Sequence, residues 1–370
     1  MSNSSSSFDM ASLSPPQRRD AMRTLTRIME MLADEPQNAL VDDWFQRAVT
    51  QYDELMSGRY LHLKRRDHTD RAMPSPLNLS GIQPAAPTAP PRPLLPALPR
   101  LDQADIDDLN KVFKFLTSPC LPPPLQGDES GTVFVLAGNA ILPLAYELFD
   151  HIEYLQDDEP VTLVISGGRG HSTPYLYDAV ARDKHLRGIT TEGETEADIL
   201  VEVARKTFDI DYAVGNGSLR LLLDPQSTNC GANAIETKRL LDEAGIWPKT
   251  IFVVQDPTMH RRTLASFEKV YAEDPRATRD GMPAIQGWTL QPKVRRGEGG
   301  VLEWKTDEVD DDQLWEPARF VSLVLGEIPR LRDDQNGYGP KGAGYIAHVD
   351  IPQDVEEAWG RLHARLGVKS

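Results

Sequence analysis

Cysteine is nearly absent: Cys120 and Cys230 are the two in 370 residues. No disulfide framework supports such a chain, and its composition fits a reducing compartment. Positive charge is also in deficit. Lysine and arginine number 40 against 56 aspartates and glutamates, giving a formal net charge of −16. That excludes the broad basic surface that a nucleic-acid backbone requires. No run of 18 or more apolar residues occurs, and no apolar signal-peptide centre follows the serine-rich start. The spaced GxGxxG of dinucleotide sites is missing, as is a tight metal motif such as HExxH, so no metal is expected. The expectation is a soluble, cytoplasmic protein with neither a nucleic-acid nor a membrane partner. A locally positive site for a small anion remains open to it.

Hydrophobic residues make up 40% of the chain, enough for a substantial core in one large domain plus extras, or in two domains. Residues 1–12 are serine-rich and expected to be disordered. Met22, Leu25, Met29 and Leu32, then Val41, Phe45, Ala48, Tyr52 and Leu55, recur at helical spacing. They predict an N-terminal helical extension over 1–73 that buries its apolar faces on the main domain, on a protein partner or on a second copy. Nine prolines between Pro74 and Pro99 mark a linker over 74–99.

From residue 100 strand-like and helix-like segments alternate. A helix over 105–116 precedes apolar strands at 132–137, 161–166, 221–223, 250–255 and 284–290, with helices starting near Pro143, Glu194, Cys230 and Met259. Strands buried on both faces and alternating with helices predict α/β architecture: a Rossmann-like, doubly wound parallel sheet of about five strands over 100–291. Residues 292–370 form a small C-terminal portion. Within it, 292–318 reads as a polar insertion or loop, and the Gly- and Pro-rich 326–352 as a long ordered loop with little helical periodicity.

Right-handed crossovers place the strand-end loops on one rim. The first strand end supplies Asn139. The second supplies Ser166, Gly167, Gly168 and Gly170, where glycines permit close approach and leave N–H groups for an anion. Glu196 lies in the first turn of the next helix, where helix-dipole chemistry alone also favours a carboxylate. The third strand end gives Asp224, Ser227 and Asn229, with Asn233 one turn into the helix. Cys230 lies at that helix start, where thiol pKa values fall, but a nucleophile needs a base and no histidine is close in sequence. The fourth end gives Asp256, then His260, Arg261 and Arg262. His260 is an acid/base group or an exposed histidine. Two arginines in a first helical turn oppose the helix dipole, so an anionic ligand or paired carboxylates must explain them.

These segments together resemble the YdcF-like family, which includes the SanA and ElyC envelope proteins. The resemblance rests on GNA at 138–140, ISGGRGHST at 165–173, QSTNCGANA at 226–234, VVQDPTMHRRT at 253–263 and GEIPRLRDDQNGYGP at 326–340. It covers roughly residues 98–370. It implies a Rossmann-like domain plus a small C-terminal portion, and binding of S-adenosylmethionine with no firmly assigned reaction. By position it carries over Asn139, Ser166, Gly167, Gly168, Glu196, Ser227, Asn229, Asn233 and Arg262. The chain departs twice: Ala232 stands where the family usually has glutamate, and His260 is displaced by one position, about 100° around a helix.

Three functions follow as expectations. The leading one is a small-molecule-binding protein that takes S-adenosylmethionine, with the glycine run near the ligand's methionine portion and Glu196 or Asp224 accepting ribose hydroxyls. The second is a hydrolase or transferase directed at a phosphate or nucleotide, with Arg261 and Arg262 holding the anion. The third is a non-catalytic ligand-binding or scaffold protein. No catalytic residue is assigned.

Overall fold

The computed structural model describes residues 98–120, 131–155, 160–208, 210–306 and 309–366. The serine-rich start, the N-terminal helical extension and all but the last two residues of the proline-rich linker lie outside them.

Five apolar segments form one parallel sheet: β1 (Thr132–Ala137), β2 (Val161–Ser166), β3 (Leu219–Asp224), β4 (Thr250–Val254) and β5 (Ala284–Trp288). Their order is β3-β2-β1-β4-β5, and Val135 of central β1 pairs with Val164 of β2 and Val253 of β4. β2 is buried along its whole length, which is why VTLVIS shows no polar alternation. Helix α1 (Gln103–Leu116) precedes the sheet. The crossovers carry α2 (Leu142–Leu155), α3 (Thr173–Arg182), α4 (Glu196–Thr207), α5 (Ile210–Gly215), α6 (Cys230–Glu243), α7 (His260–Ala272) and α8 (Pro275–Arg279).

Successive strand residues feed opposite faces. Val133, Val135, Val164, Ile251 and Val253 pack with Ala234 and Leu241 of α6 and with Leu264, Phe267 and Tyr271 of α7. Across the sheet, Phe134 stacks on Phe252 at 5.6 Å between centroids and meets His151 of α2 edge-on. The strand order reverses between β1 and β4. In such sheets the loops on the two sides of the reversal diverge and open a crevice at the carboxyl ends of the strands.

The stretch near 292–318 is not simply a loop. It holds an antiparallel hairpin, β6 (Lys293–Arg296) and β7 (Leu302–Lys305), with Val294 opposite Trp304. Four-residue strands with one or two inward residues leave no legible period. Helix α9 (Pro317–Leu331) follows, then a loop over 332–352 and α10 (Gln353–Leu366).

The start of the expected loop at Gly326 also needs correction, because α9 runs on through Pro329 to Leu331. Proline has no N–H for the Leu325 carbonyl. The Trp359 indole of α10 donates to that oxygen instead, at 2.9 Å. The loop beyond is held from within and onto α7: Lys341 N–H donates to Asp333 Oδ1 at 2.7 Å, and Ala347 N–H to the Ala265 carbonyl at 2.9 Å. Phe113, Trp304, Trp315 and Phe320 form an aromatic cluster that ties α1, the hairpin and α9 together. No helix of the described residues is long and apolar enough to cross a membrane.

Candidate functional site

The ends of β2 and β3 are joined by one carboxylate. Asp224 is fully buried, and its Oδ2 accepts from Ser166 Oγ at 2.6 Å and from Ser227 Oγ. Its Oδ1 accepts the Gln226 and Ser227 backbone N–H groups at 2.8 and 3.2 Å. Both oxygens are therefore spent inside the protein, so Asp224 shapes the turn and has no lone pair turned to a ribose. The glycine N–H groups are spent as well. Gly167 donates to the Asp224 carbonyl at 2.8 Å, Gly168 to the Ser227 carbonyl at 2.6 Å and Gly170 to Thr173 Oγ1 at 2.8 Å. A Cβ on Gly168 would stand 2.9 Å from the Pro225 and Ser227 carbonyl oxygens. The expectation that these glycines leave N–H groups for an anion is thus corrected: they let two loops pack edge to edge.

Glu196 behaves differently. It opens α4 behind the N-cap Thr195, and the Glu196 and Ala197 N–H groups donate to the Gly168 and Gly167 carbonyls at 3.1 and 2.7 Å. That pins the helix start to the β2 loop. The side chain is 7% exposed and lies across the end of β1, where a Cβ on Gly138 would fall 2.0 Å from Glu196 Oε2. Oε1 accepts from Thr173 Oγ1 at 2.9 Å, and Oε2 has no partner among the described residues. A helix N-terminus favours the charged carboxylate by only ~0.3–1 kcal/mol. Burial outweighs that and pushes the Glu196 carboxyl up to about 7, although the Thr173 hydrogen bond opposes it.

Beyond β4, Asp256 is buried. Its Oδ1 accepts from Thr258 N and Oγ1 at 2.8 and 2.6 Å, and its Oδ2 from the Trp315 indole at 3.0 Å. Burial raises its pKa against these donors and against the charge of nearby Arg319. Arg319, in the first turn of α9, places its guanidinium carbon 3.3 Å from the centre of the Tyr175 ring on α3.

The other expected residues do not join this group. Arg261 stacks on Phe115 at 4.0 Å and donates to the Phe115 carbonyl at 2.6 Å, so it serves the contact with α1. Arg262 forms a two-pronged pair with buried Glu327 of α9, at 2.6 and 3.1 Å. Burial alone would weaken its charge, but the neighbouring Cys230 sulfur and the Glu327 carboxylate hold its pKa above the usual guanidinium value. The carboxylate partner, not an anionic ligand, accounts for Arg262.

His260 is fully buried rather than exposed. Its Nε2 meets the Pro119 carbonyl at 2.8 Å, which fixes the proton there. Its Nδ1 has no partner, and burial lowers its pKa to about 4. Asn139 is 3% exposed and closes its own turn, donating to the Ala137 carbonyl and accepting from Ile141 N–H. Asn229 caps α6 through Ala232 N–H at 3.0 Å. Asn233 is 6% exposed and its side chain makes no hydrogen bond among the described residues.

The structure therefore brings Ser166, Gly167, Gly168, Glu196, Asp224 and Ser227 together, with Asp256 on the far side of β1. Sequence reasoning passed over Thr173, Tyr175, Trp315 and Arg319. A signal for Arg319 existed, since it too is a first-turn arginine that opposes the helix dipole. It was hidden because the start of α9 at Pro317 was not recognised. Among the described residues no group of three or more His, Cys, Asp or Glu side chains is placed to hold a metal ion. No protein-family model matches the chain.

Proposed function

We propose that this chain is a small-molecule-binding protein whose crevice, at the carboxyl ends of β1, β2 and β4, takes a nucleoside-containing ligand. S-adenosylmethionine is the candidate that the resemblance to YdcF-like proteins implies. The observation that carries the reading is Glu196, a buried carboxyl with one unpartnered oxygen, seated on Gly138 beside the point where strand order reverses. That oxygen is free to accept from a ligand, and ribose hydroxyls are donors of the kind it would take. The reading concerns binding in a cytoplasmic setting and assigns no reaction.

The phosphate-directed reading loses Arg261 and Arg262, which are committed to protein acceptors. The scaffold reading depends on the N-terminal extension, outside the described residues.

The test is calorimetric titration of the full chain with S-adenosylmethionine, its demethylated product, ATP and a buffer blank. Saturable S-adenosylmethionine binding that Glu196→Gln weakens is the expected result. Binding that Glu196→Gln leaves unchanged would remove the carrying observation, and no heat from any nucleoside compound would overturn the reading.

A further inference from the structure

A guanidinium carries five N–H donors in a planar fork and no acceptor of its own. Arg319 is half-buried, yet it makes no hydrogen bond or ion pair with any described residue. Asp256, whose burial-raised pKa the Arg319 charge opposes, spends its oxygens on Thr258 and Trp315. Helix stability does not explain the residue, since a cation in the first turn of α9 opposes the dipole. What fixes the side chain is the Tyr175 ring face, 3.3 Å from the guanidinium carbon. Stacking of this kind leaves the edges of the guanidinium, where its donors lie, open to an acceptor.

Position adds a second line of argument. Tyr175 belongs to the helix that follows β2, and Asp256 follows β4. In the sheet β1 lies between those two strands. Trp315, just ahead of α9, donates to Asp256 at 3.0 Å, and Arg319 in the first turn of α9 meets Tyr175, so this helix start bridges the loops on the two sides of β1, the strand whose carboxyl end carries Gly138 and Glu196 Oε2. The crevice presents a cationic fork from the C-terminal arm and an acidic acceptor from the sheet side.

We propose that Arg319 is the anion-recognition residue of this crevice, holding a carboxylate or phosphoryl group on the ligand whose hydroxyl-bearing portion meets Glu196. The assignment of the second portion rests on the nucleoside reading above; the assignment of the anion does not. A two-oxygen acid group matches the guanidinium fork, whereas a neutral nucleoside leaves it unsatisfied.

The experiment titrates the wild type, Arg319→Met and Arg319→Lys with S-adenosylmethionine, ADP and adenosine. Thermal shifts with pyrophosphate and with methionine run beside these titrations, and near-UV circular dichroism establishes that each variant is folded. The expected result is that Arg319→Met weakens S-adenosylmethionine or ADP about ten- to a hundredfold and leaves adenosine unchanged, with Arg319→Lys between. S-adenosylmethionine would point to the carboxylate and ADP to the phosphoryl group. Stabilisation of the wild type, but not of Arg319→Met, by pyrophosphate or methionine, with no adenosine compound bound, would keep the anion site and discard the nucleoside reading. Equal binding of an anionic nucleoside to the wild type and Arg319→Met would overturn the anion site and leave the nucleoside reading standing. No response to any probe would overturn both.

Discussion

Glu196 Oε2 occupies the place that a side chain on Gly138 would need, 2.0 Å from an ideal Cβ. β1 is therefore followed by a residue without a side chain, which lets the carboxyl of α4 lie across the strand end. The buried carboxyl, the missing side chain and the reversal of strand order coincide at one point of the sheet.

The first consequence is a pH dependence of stability. Burial raises the Glu196 carboxyl from 4.5 to about 7. A raised folded-state pKa means that the stability carried by the protonated form is complete below pH 4.5 and is lost as pH climbs through about 7. Glu196→Gln removes that loss and is expected to be more stable than wild type above pH 8 by up to about 3 kcal/mol. Parallel melting-temperature profiles for the two proteins between pH 5 and 8 would contradict this. Ribose hydroxyls that donate to Oε2 would favour the ionised form, so ligand binding near neutral pH is expected to release protons. Calorimetry in buffers of different ionisation enthalpy measures them.

Two neighbouring glycines separate shape from stability. In Gly138→Ala the new methyl meets the Glu196 side chain, most closely at its carboxylate oxygen. The protein is expected to fold within about 1 kcal/mol of wild type while the carboxyl is displaced and ligand affinity falls. In Gly168→Ala the methyl meets the Pro225 and Ser227 backbone oxygens at 2.9 Å, which have nowhere to go. A loss of roughly 1–3 kcal/mol is expected there, read by urea unfolding. If both variants lost stability equally, Glu196 would be a packing residue and little else.

The Arg262–Glu327 pair links α7 to α9. Glu327→Ala strands a buried guanidinium and is expected to cost about 3–5 kcal/mol, whereas Arg262→Met with Glu327→Leu costs markedly less than the Glu327→Ala change alone. A double-mutant cycle by chemical denaturation measures the difference. Additive losses would mean that the two side chains do not depend on each other.

Much of the sheet was legible because its strands are buried on both faces. TVFVLA and VTLVIS coincide with β1 and β2, and the Asn229 cap marked the start of α6. The hairpin β6–β7 was not, because Val294 alone on β6, and Leu302 with Trp304 on β7, are too few inward residues on four-residue strands to show a period. The end of α9 was missed for another reason: Pro329 signals a break unless a donor from elsewhere serves Leu325, and Trp359 is 30 residues further along the chain. At the site, sequence could nominate Asp224, Arg261 and Arg262 as polar groups near strand ends. It could not foresee that each was already satisfied by Ser166, Phe115 or Glu327. Spacing reveals where a side chain begins, while its partners come from distant segments.

Asp108 of α1 and Arg361 of α10 are joined by two hydrogen bonds of 2.7 and 2.8 Å, and Asn110 of α1 exchanges hydrogen bonds with Val294 of β6. The first helix of the described residues thus takes these partners from segments far later in the chain. During synthesis these contacts become available to α1 only after the strands of the sheet have been made.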